Sequence, residues 1–575
     1  MRILKVLSVA GILCFLLFIS RCKSEPKTTV ETINVCVNEA PDGLFPFTSK
    51  SSIAGQITSK IYLPLADFNP ETLVLEPVLL EEIPEPKIDT TGEMYDMKIE
   101  EDAKWSDGKP VTANDVLFTL KLIGNPYASF GSIRSTLNNI TALSTADAAS
   151  KAFKVTFNGT YHLDLEAFTN LPILPAHIFD PQNEMAKYEY SQLIHLGDSL
   201  MTQVDSVVLK KIVDNALNSN KEFVNIIGSG GYKVSEWMPG QRLTLSRVED
   251  YWGIKLSKKR TELQAFPAKI NYLIIPEEAT AMAALKSGQI DIMADVKAEN
   301  VDAIKNDPNL ASKYTIASPD VLQYFYIGLN NNSPLLRDIK LRTALNHLVN
   351  VDQIITTIMD GNASRVLSPI LSQKPYFVNN LKAPDYNPNK AAAILDQSGY
   401  KSKGADGVRT KMIDGKNVRL SMTLLTTGKQ LGKDIAALLS EEARKIGVEI
   451  KIETMDFSKI LERIKAGKYD MANLVVKQFP GLDDPYIAWN SANAFGKGSN
   501  YCNFSDPAID RITEAIRTVK SNKEREKLYK DFQRKIVELS PVIFLFSPKN
   551  QIVVKKELDP VFSSKRPGYF ENTMK

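Results

Sequence analysis

The pattern of apolar residues from residue 95 to residue 120 predicts a strand, a tight turn and a capped helix. Three apolar residues alternate with polar ones, as on one face of a half-buried strand: Tyr95, Met97 and Ile99. Asp107-Gly108 is typical of a turn, and Thr112 and Asp115 have the spacing of a capping box. A helical apolar stripe follows at Val116, Leu117 and Leu120. We therefore expect an α+β lobe in this part of the chain.

The segment from residue 435 to residue 476 predicts two consecutive helix-strand units. The first helix carries apolar residues at helical spacing: Ile435, Leu438, Leu439, Ala443 and Ile446. Gly447 ends this helix before an alternating strand at 448–452, and the second unit repeats the arrangement around Gly467. Consecutive units of this kind place their strands parallel in one sheet. An α/β lobe is therefore expected here.

A glycine cluster at 228–231 precedes two alternating runs separated by the turn Pro239-Gly240. This pattern predicts a β-hairpin with a flexible entry. A phosphate-binding loop is excluded because Lys233 stands where the third glycine of that motif belongs and no helix start follows.

The best candidate binding segment directly follows the second predicted strand of the α/β lobe. Ligands collect at the carboxyl ends of strands in open α/β sheets. This segment combines carboxylates with aromatic rings at Phe479, Asp483, Asp484, Tyr486 and Trp489. Two adjacent carboxylates suit an ammonium group, although capping of the next helix explains them equally well. The rings are suited to stacking on ligand groups or to the core.

Composition excludes some classes of protein. Of the 575 residues, 43% are hydrophobic and 24% are charged, which is typical of a globular chain with large cores. The net charge of +3 is too small for so long a chain to indicate a nucleic-acid surface, so no nucleic-acid partner is expected.

The N-terminus resembles a bacterial secretory signal that ends at a lipoprotein processing site. Arg2 and Lys5 precede an apolar run of about 14 residues from Val6 to Ile19, which is shorter than a spanning helix needs. Cys22 follows this run and is the expected site of lipidation, with an ordinary signal peptide cut nearby as the alternative. A single lipid anchor would hold the body at a membrane surface.

The remaining chemistry does not indicate an enzyme. The sequence has no GxSxG, HExxH or P-loop motif, and no metal or cofactor is expected. His177 lacks a nucleophile partner and is expected to be structural. Cys36 and Cys502 remain in the mature chain, and the sequence leaves open whether they pair. The polar, helix-prone segment 188–222 has no functional interpretation.

Several separated motifs resemble the bacterial extracellular solute-binding proteins of family 5, the peptide and nickel receptors of ABC importers. The motifs occur in the order of that family and cover nearly all of the mature chain. They are Trp105-Ser106-Asp107-Gly108-Lys109-Pro110, the Gly228–Gly231 cluster with its Tyr232, the string Asp250-Tyr251-Trp252-Gly253, Leu285–Ile292, and the amphipathic helix around Arg342, Ala344 and Leu345.

The resemblance implies an α/β, type II periplasmic-binding-protein fold with three lobes and a hinged ligand cleft. Residues 1–22 would be the signal peptide and 23–32 a tether. Lobe I would comprise 33–65, 172–318 and 540–575, lobe II 66–171, and lobe III 319–539. The resemblance adds Glu39, in the loop after the first strand, and Tyr324 to the candidate ligand-binding residues.

The function implied is capture of oligopeptides outside the cytoplasmic membrane and delivery to an ABC permease, by a lipid-anchored monomer that breaks no bond. In peptide-binding members an Asp four residues before the proline pairs with the peptide's amino terminus, whereas this chain has Gly481 there. The alternatives are a receptor for a nickel chelate, an oligosaccharide or another solute, or a surface hydrolase or adhesion lipoprotein on the same fold.

Overall fold

The computed structural model describes residues 30–195, 203–218, 223, 225–382, 384–413 and 415–575. The predicted signal peptide, Cys22 and most of the tether therefore lie outside the described residues. Within the segment 188–222 the structure describes two helices, Tyr190–His195 and Gln203–Asn218.

A seven-stranded sheet forms the first of three large sheets. Thr32–Val37 lies at its centre and pairs in parallel with Lys269–Ile274 and Ile292–Met293. The predicted hairpin is confirmed, because Tyr232–Met238 and Arg242–Arg247 pair antiparallel. In spatial order the strands are Tyr314–Ala317, Ile552–Lys555, Ile292–Met293, Thr32–Val37, Lys269–Ile274, Arg242–Arg247 and Tyr232–Met238.

The second sheet has four strands and carries the capped helix predicted from residue 112 onward. Its strands are, in order, Lys87–Ile88, Gly92–Lys98, Ala152–Asn158 and Ile140–Thr145. The helix Ala113–Gly124 begins with the predicted capping box between Thr112 and Asp115. The buried Asp115 carboxylate also accepts hydrogen bonds from the Ala176 amide at 2.8 Å and the Trp105 indole at 3.3 Å. One carboxylate therefore joins the turn, the helix and the following crossover.

The third sheet confirms the predicted parallel strands of the α/β lobe. Ser421–Thr426 pairs in parallel with both Glu449–Thr454 and Met471–Lys477. The helices Gln430–Lys445 and Phe457–Lys465 connect these strands. Two antiparallel strands complete the sheet, in the order Glu449–Thr454, Ser421–Thr426, Met471–Lys477, Gln323–Leu329 and Val542–Phe544.

Smaller elements surround the three sheets. The remaining strands are Ala66–Phe68 with Leu75–Pro77, Ala363–Arg365 with Phe546–Pro548, and the trio Ser402–Lys403, Arg409–Ile413 and Lys416–Arg419. The other α-helices are Ser52–Thr58, Gly131–Thr136, Asp164–Thr169, Ala176–Phe179, Glu278–Lys286, Ala298–Asn306, Pro308–Lys313, Ile339–Asn346, Val351–Gln353, Pro388–Gln397, Pro485–Trp489, Pro507–Thr518 and Asn522–Leu539.

The chain passes twice between the seven-stranded and five-stranded sheets, and the two crossings lie side by side. The Val321 amide donates to the Pro548 carbonyl, and the Asn550 amide donates to the Pro319 carbonyl, each at 2.9 Å. The strand Val542–Phe544 still belongs to the five-stranded sheet. The predicted boundary at residue 540 therefore falls too early, because the return crossing comes after Pro548. We keep the division into three lobes as a proposal, with this boundary moved.

Two segments outside the regular elements contribute to the core. In the C-terminal tail after Lys555, Tyr569, Glu571 and Met574 are buried. In the loop after the first strand, Phe45 and Phe47 pack against each other at 5.7 Å between ring centroids.

The Glu571 carboxylate explains why the C-terminal tail is drawn inward. Its Oε1 atom lies 3.1 Å from the Lys60 ammonium and accepts hydrogen bonds from Tyr272 and Gln56. The side chain of Glu571 is 0% exposed and that of Lys60 only 6% exposed. No local pattern in the sequence indicates this buried ion pair, because Lys60 and Glu571 are about 500 positions apart.

Cys36 and Cys502 do not form a disulfide. Cys36 and Cys502 are both free and buried, and they belong to separate apolar clusters. Burial raises the pKa of the Cys36 thiol to about 11. Among the described residues, no helix is both long and apolar enough to span a membrane.

Removing one partner of the buried Lys60–Glu571 pair should destabilise the protein more than removing both. Glu571→Ala leaves the Lys60 ammonium buried without its counter-charge, and we expect a loss of about 3–5 kcal/mol in the free energy of unfolding. The double variant Lys60→Met/Glu571→Leu should lose clearly less, because no charge stays buried. Urea unfolding measures both, and a double variant less stable than Glu571→Ala would contradict this account.

Candidate functional site

The predicted binding segment forms a loop whose backbone carbonyls are bound by a buried lysine. This loop, residues 478–486, follows the strand Met471–Lys477. The Lys374 ammonium is 0% exposed and donates to the carbonyls of Phe479 at 2.6 Å, Pro480 at 3.1 Å and Gly481. Because an ammonium has three N–H donors, three carbonyls satisfy it completely. Lys374 therefore fixes the path of the loop.

The Asp483 carboxylate is already neutralised inside the protein. It accepts a hydrogen bond from the Tyr376 hydroxyl at 2.8 Å and from the Gln478 amide at 3.0 Å, and it lies 3.6 Å from the Lys374 ammonium. Burial raises the pKa of Asp483, while Lys374 and Tyr376 oppose that shift. The ammonium group that the sequence predicts beside Asp483 is thus supplied here by the chain itself.

Asp484 acts as the helix cap that the sequence left as an alternative. Its Oδ1 atom accepts from the Tyr486 amide at 3.1 Å at the start of the helix Pro485–Trp489. Its Oδ2 atom accepts from the Tyr161 hydroxyl at 2.8 Å and lies 3.2 Å from Arg517. The Arg517 guanidinium in turn lies over the rings of Tyr161 and Tyr486. Asp484 and Tyr486 therefore belong to one polar contact with the α+β part of the chain.

The other side of this contact is the segment from Tyr161 to Glu166. The Nε2 atom of His162 lies 3.1 Å from the Asp483 carbonyl oxygen, and burial lowers the pKa of His162 to about 4. The Glu166 carboxylate accepts from the Leu482 amide at 3.1 Å. A side chain at Gly481 would overlap the Glu166 carboxylate. The approach of Glu166 therefore requires glycine at position 481.

The remaining predicted residues do not join this loop contact. Trp489 and Tyr324 are 5% and 2% exposed, and each ring packs on Phe544 in the core. Phe479 belongs to the loop, but its ring is 82% exposed and takes no part in the contact. Glu39 is exposed after the first strand. The structure thus gathers Asp483, Asp484 and Tyr486, and separates the other four.

A cavity of about 540 Å³ lies beside the two chain crossings, and Asn38, next to the predicted Glu39, lines it. This hinge cavity opens at the carboxyl ends of the parallel strands Thr32–Val37, Lys269–Ile274 and Ile292–Met293, and the crossing residues Pro319, Val321 and Asn550 line it. The C-terminal segment 563–570 forms another wall. Its volume falls within the roughly 300–1,000 Å³ of typical small-molecule sites. Its walls come from segments up to hundreds of residues apart, so no local motif marks it.

Most charges on the walls of the hinge cavity are paired within the protein. Lys565 lies 2.8 Å from Asp67 and 3.5 Å from Glu262. Glu278 lies 2.9 Å from Lys297, and Asp320 accepts from Ser364 and Gln373. The lining carries five carboxylates and three cations, so the cavity is polar with an excess of negative charge.

The family model "Bacterial extracellular solute-binding proteins, family 5 Middle" matches residues 74–498. The chain belongs to this family, and it is accordingly a solute-binding protein. The matched range includes the α+β sheet, the hinge cavity's first crossing and the loop 478–486.

Individual relatives resemble the chain along most of its length. The oligopeptide-binding protein AppA of Bacillus subtilis is 28% identical over 480 residues, which cover 81% of this chain and 78% of AppA. The structure of AppA with a nonapeptide gives a TM-score of 0.63 at 24% identity and covers 95% of this chain and 99% of that one. NikZ of Campylobacter jejuni with Ni(L-His) gives 0.63 at 23% identity, over 94% and 97% of the two chains. These two structures confirm the type II binding-protein fold.

Neutralising Glu166 should stabilise the protein only at higher pH. Burial raises the pKa of Glu166 to about 7, so the folded state holds this proton more tightly than the unfolded state. The resulting stabilisation is complete below the ordinary pKa of a glutamate and is lost as the pH rises through about 7. Glu166→Gln keeps an oxygen for the Leu482 amide without the charge. We expect a gain on the order of 2 kcal/mol at pH 8 and little change at pH 5.

Urea unfolding at the two pH values measures this difference. Glu101→Gln, an exposed carboxylate in the same part of the chain, serves as the control and should show no such dependence. An equal effect of Glu166→Gln at pH 5 and pH 8 would contradict the buried-carboxylate interpretation.

Proposed function

We propose that the protein is the peptide-binding component of an ABC importer, acting outside the cytoplasmic membrane as a lipid-anchored monomer. Peptide binding is supported by the similarity to the oligopeptide-binding protein AppA, which is 28% identical to this chain. Cys22 would carry the lipid, and a membrane permease would receive the bound peptide. Binding and release would be the whole activity, with no bond broken.

The position of the hinge cavity carries this proposal. A ligand in it would touch the strand ends of one sheet and the crossings to another at the same time. Any ligand that binds better to the closed arrangement of the lobes shifts their population toward closure by that difference in affinity. A pocket beside the hinge thus converts binding into a change of shape that a permease can recognise.

The contact between the loop 478–486 and the segment 161–166 would contribute to the closed state. It joins parts of the chain that we assign to lobes II and III, through Tyr161 with Asp484 and Glu166 with Leu482. Neither hydrogen bond survives if these lobes move apart. The contact therefore favours the closed arrangement, and a bound ligand would add to it.

Peptide binding can be tested by thermal unfolding of the mature domain without its anchor. Pools of di- to pentapeptides at about 100 times the dissociation constant should stabilise the protein by roughly 2.7 kcal/mol and raise its melting temperature. Native mass spectrometry of the purified protein should show a carried-over peptide. Stabilisation by a metal chelate or a sugar, with none by any peptide, would overturn the peptide assignment and leave the solute-binding role.

The lipid anchor can be tested with Cys22→Ser in a bacterial host. The wild-type protein should incorporate labelled fatty acid and sediment with membranes, because lipid on the N-terminal cysteine is the proposed attachment. The variant should lose the label and appear in the soluble extracytoplasmic fraction. Equal membrane retention of both proteins, without label, would contradict lipidation at Cys22.

A further inference from the structure

Two charged residues that line the hinge cavity differ from its other charged residues, because neither is paired with a side chain of the described residues. Asp295 and Arg566 both line the cavity and are exposed within it. Within the described part of the chain, neither the Asp295 carboxylate nor the Arg566 guanidinium has a hydrogen bond or ion pair to another side chain. They influence each other only at longer range: burial raises the pKa of Asp295, and the charge of Arg566 opposes that rise. One anion and one cation are thus free to meet a ligand.

A single hinge residue holds the segments that carry these two charges. The Oδ1 atom of Asn550 accepts from the Asp295 amide at 3.1 Å, and its Nδ2 atom donates to the carbonyl of Pro567, next to Arg566, at 3.3 Å. The Asn550 amide itself donates to the Pro319 carbonyl of the other crossing. Asn550 therefore connects the segments that carry the two charges to the crossing.

The backbone of Asp295 is held in a left-handed conformation. Its φ is 55°, in a region that Asp adopts more readily than most residues other than glycine. The Asn550 side chain maintains this conformation by accepting a hydrogen bond from the Asp295 amide.

We propose that the hinge cavity binds a zwitterion, with the ligand's ammonium at Asp295 and its carboxylate at Arg566. Both contacts are charge-assisted, and a guanidinium matches a carboxylate in a two-pronged geometry. The proposal rests on the proposed binding function and narrows the ligand to free amino acids or short peptides with both termini unmodified. The other cavity charges are already satisfied internally, so a ligand with one net charge would leave Asp295 or Arg566 without a partner.

Calorimetry with end-blocked ligands tests this assignment. The ligands are free amino acids and short peptides, each peptide also in N-acetylated and C-amidated forms. For the wild-type protein, acetylation and amidation should each weaken binding at least about tenfold, the usual range for a lost hydrogen bond to a charged group. In Asp295→Asn, acetylation should cost little further affinity, while amidation keeps its full effect. In Arg566→Gln the pattern should be reversed.

Matched variants separate the proposed contacts from general loss of charge. Asp302→Asn and Arg511→Gln change exposed residues outside the cavity lining and should retain the wild-type penalties for both blocking groups. Circular dichroism and urea unfolding show whether each variant folds.

The outcomes distinguish this proposal from the broader function. Tight peptide binding whose terminal penalties persist in Asp295→Asn and Arg566→Gln overturns the zwitterion site and leaves peptide binding in place. No binding of any peptide or amino acid by the wild-type protein overturns both. Loss of the matching penalty in each variant supports the site.

Discussion

The two side-by-side chain crossings are the constraint on which the rest of the structure depends. Two backbone hydrogen bonds join Val321 to Pro548 and Asn550 to Pro319, between residues more than 200 positions apart. They fix where the seven-stranded and five-stranded sheets meet and leave few other backbone links there. The hinge cavity lies beside this junction, and Asn550 connects the junction to the segments that carry Asp295 and Arg566.

Internal neutralisation of charge separates structural carboxylates from those available to a ligand. Asp483 and Glu571 each have a buried cation within 4 Å, and Asp484 lies 3.2 Å from the half-buried Arg517, so all three carboxylates are paired within the protein. A ligand ammonium would have to displace Lys374 to reach Asp483. Asp295 has no ion pair with another side chain among the described residues. The hinge cavity is therefore a better candidate binding site than the loop 478–486, which the sequence favoured.

Local patterns in the sequence predicted the elements well and the long-range partners poorly. The capping box at Thr112 and Asp115, the hairpin around Gly240 and the parallel strands of the α/β lobe depend on neighbours within a few residues or one helix-strand unit. The separated motifs also led to the family that the match over residues 74–498 confirms. The burial of Glu571 depends on Lys60, about 500 positions away, and no local pattern records that contact.

The candidate site also combines local features that the sequence predicted with long-range contacts that it did not. The sequence placed carboxylates and rings after the correct strand, but it could not show that Lys374 already occupies the space beside Asp483. Nor could it show that Trp489 and Tyr324 turn into the core. The hinge cavity is assembled from the first strand, the crossings and the C-terminal tail, so only the folded chain brings its lining together.

A crystal structure of the mature domain grown with a short peptide tests the central claim most directly. The account predicts peptide density inside the hinge cavity, in contact with the crossing residues Pro319 to Val321 and Asn550. Peptide density confined to another surface, with the hinge cavity holding only solvent, would contradict it.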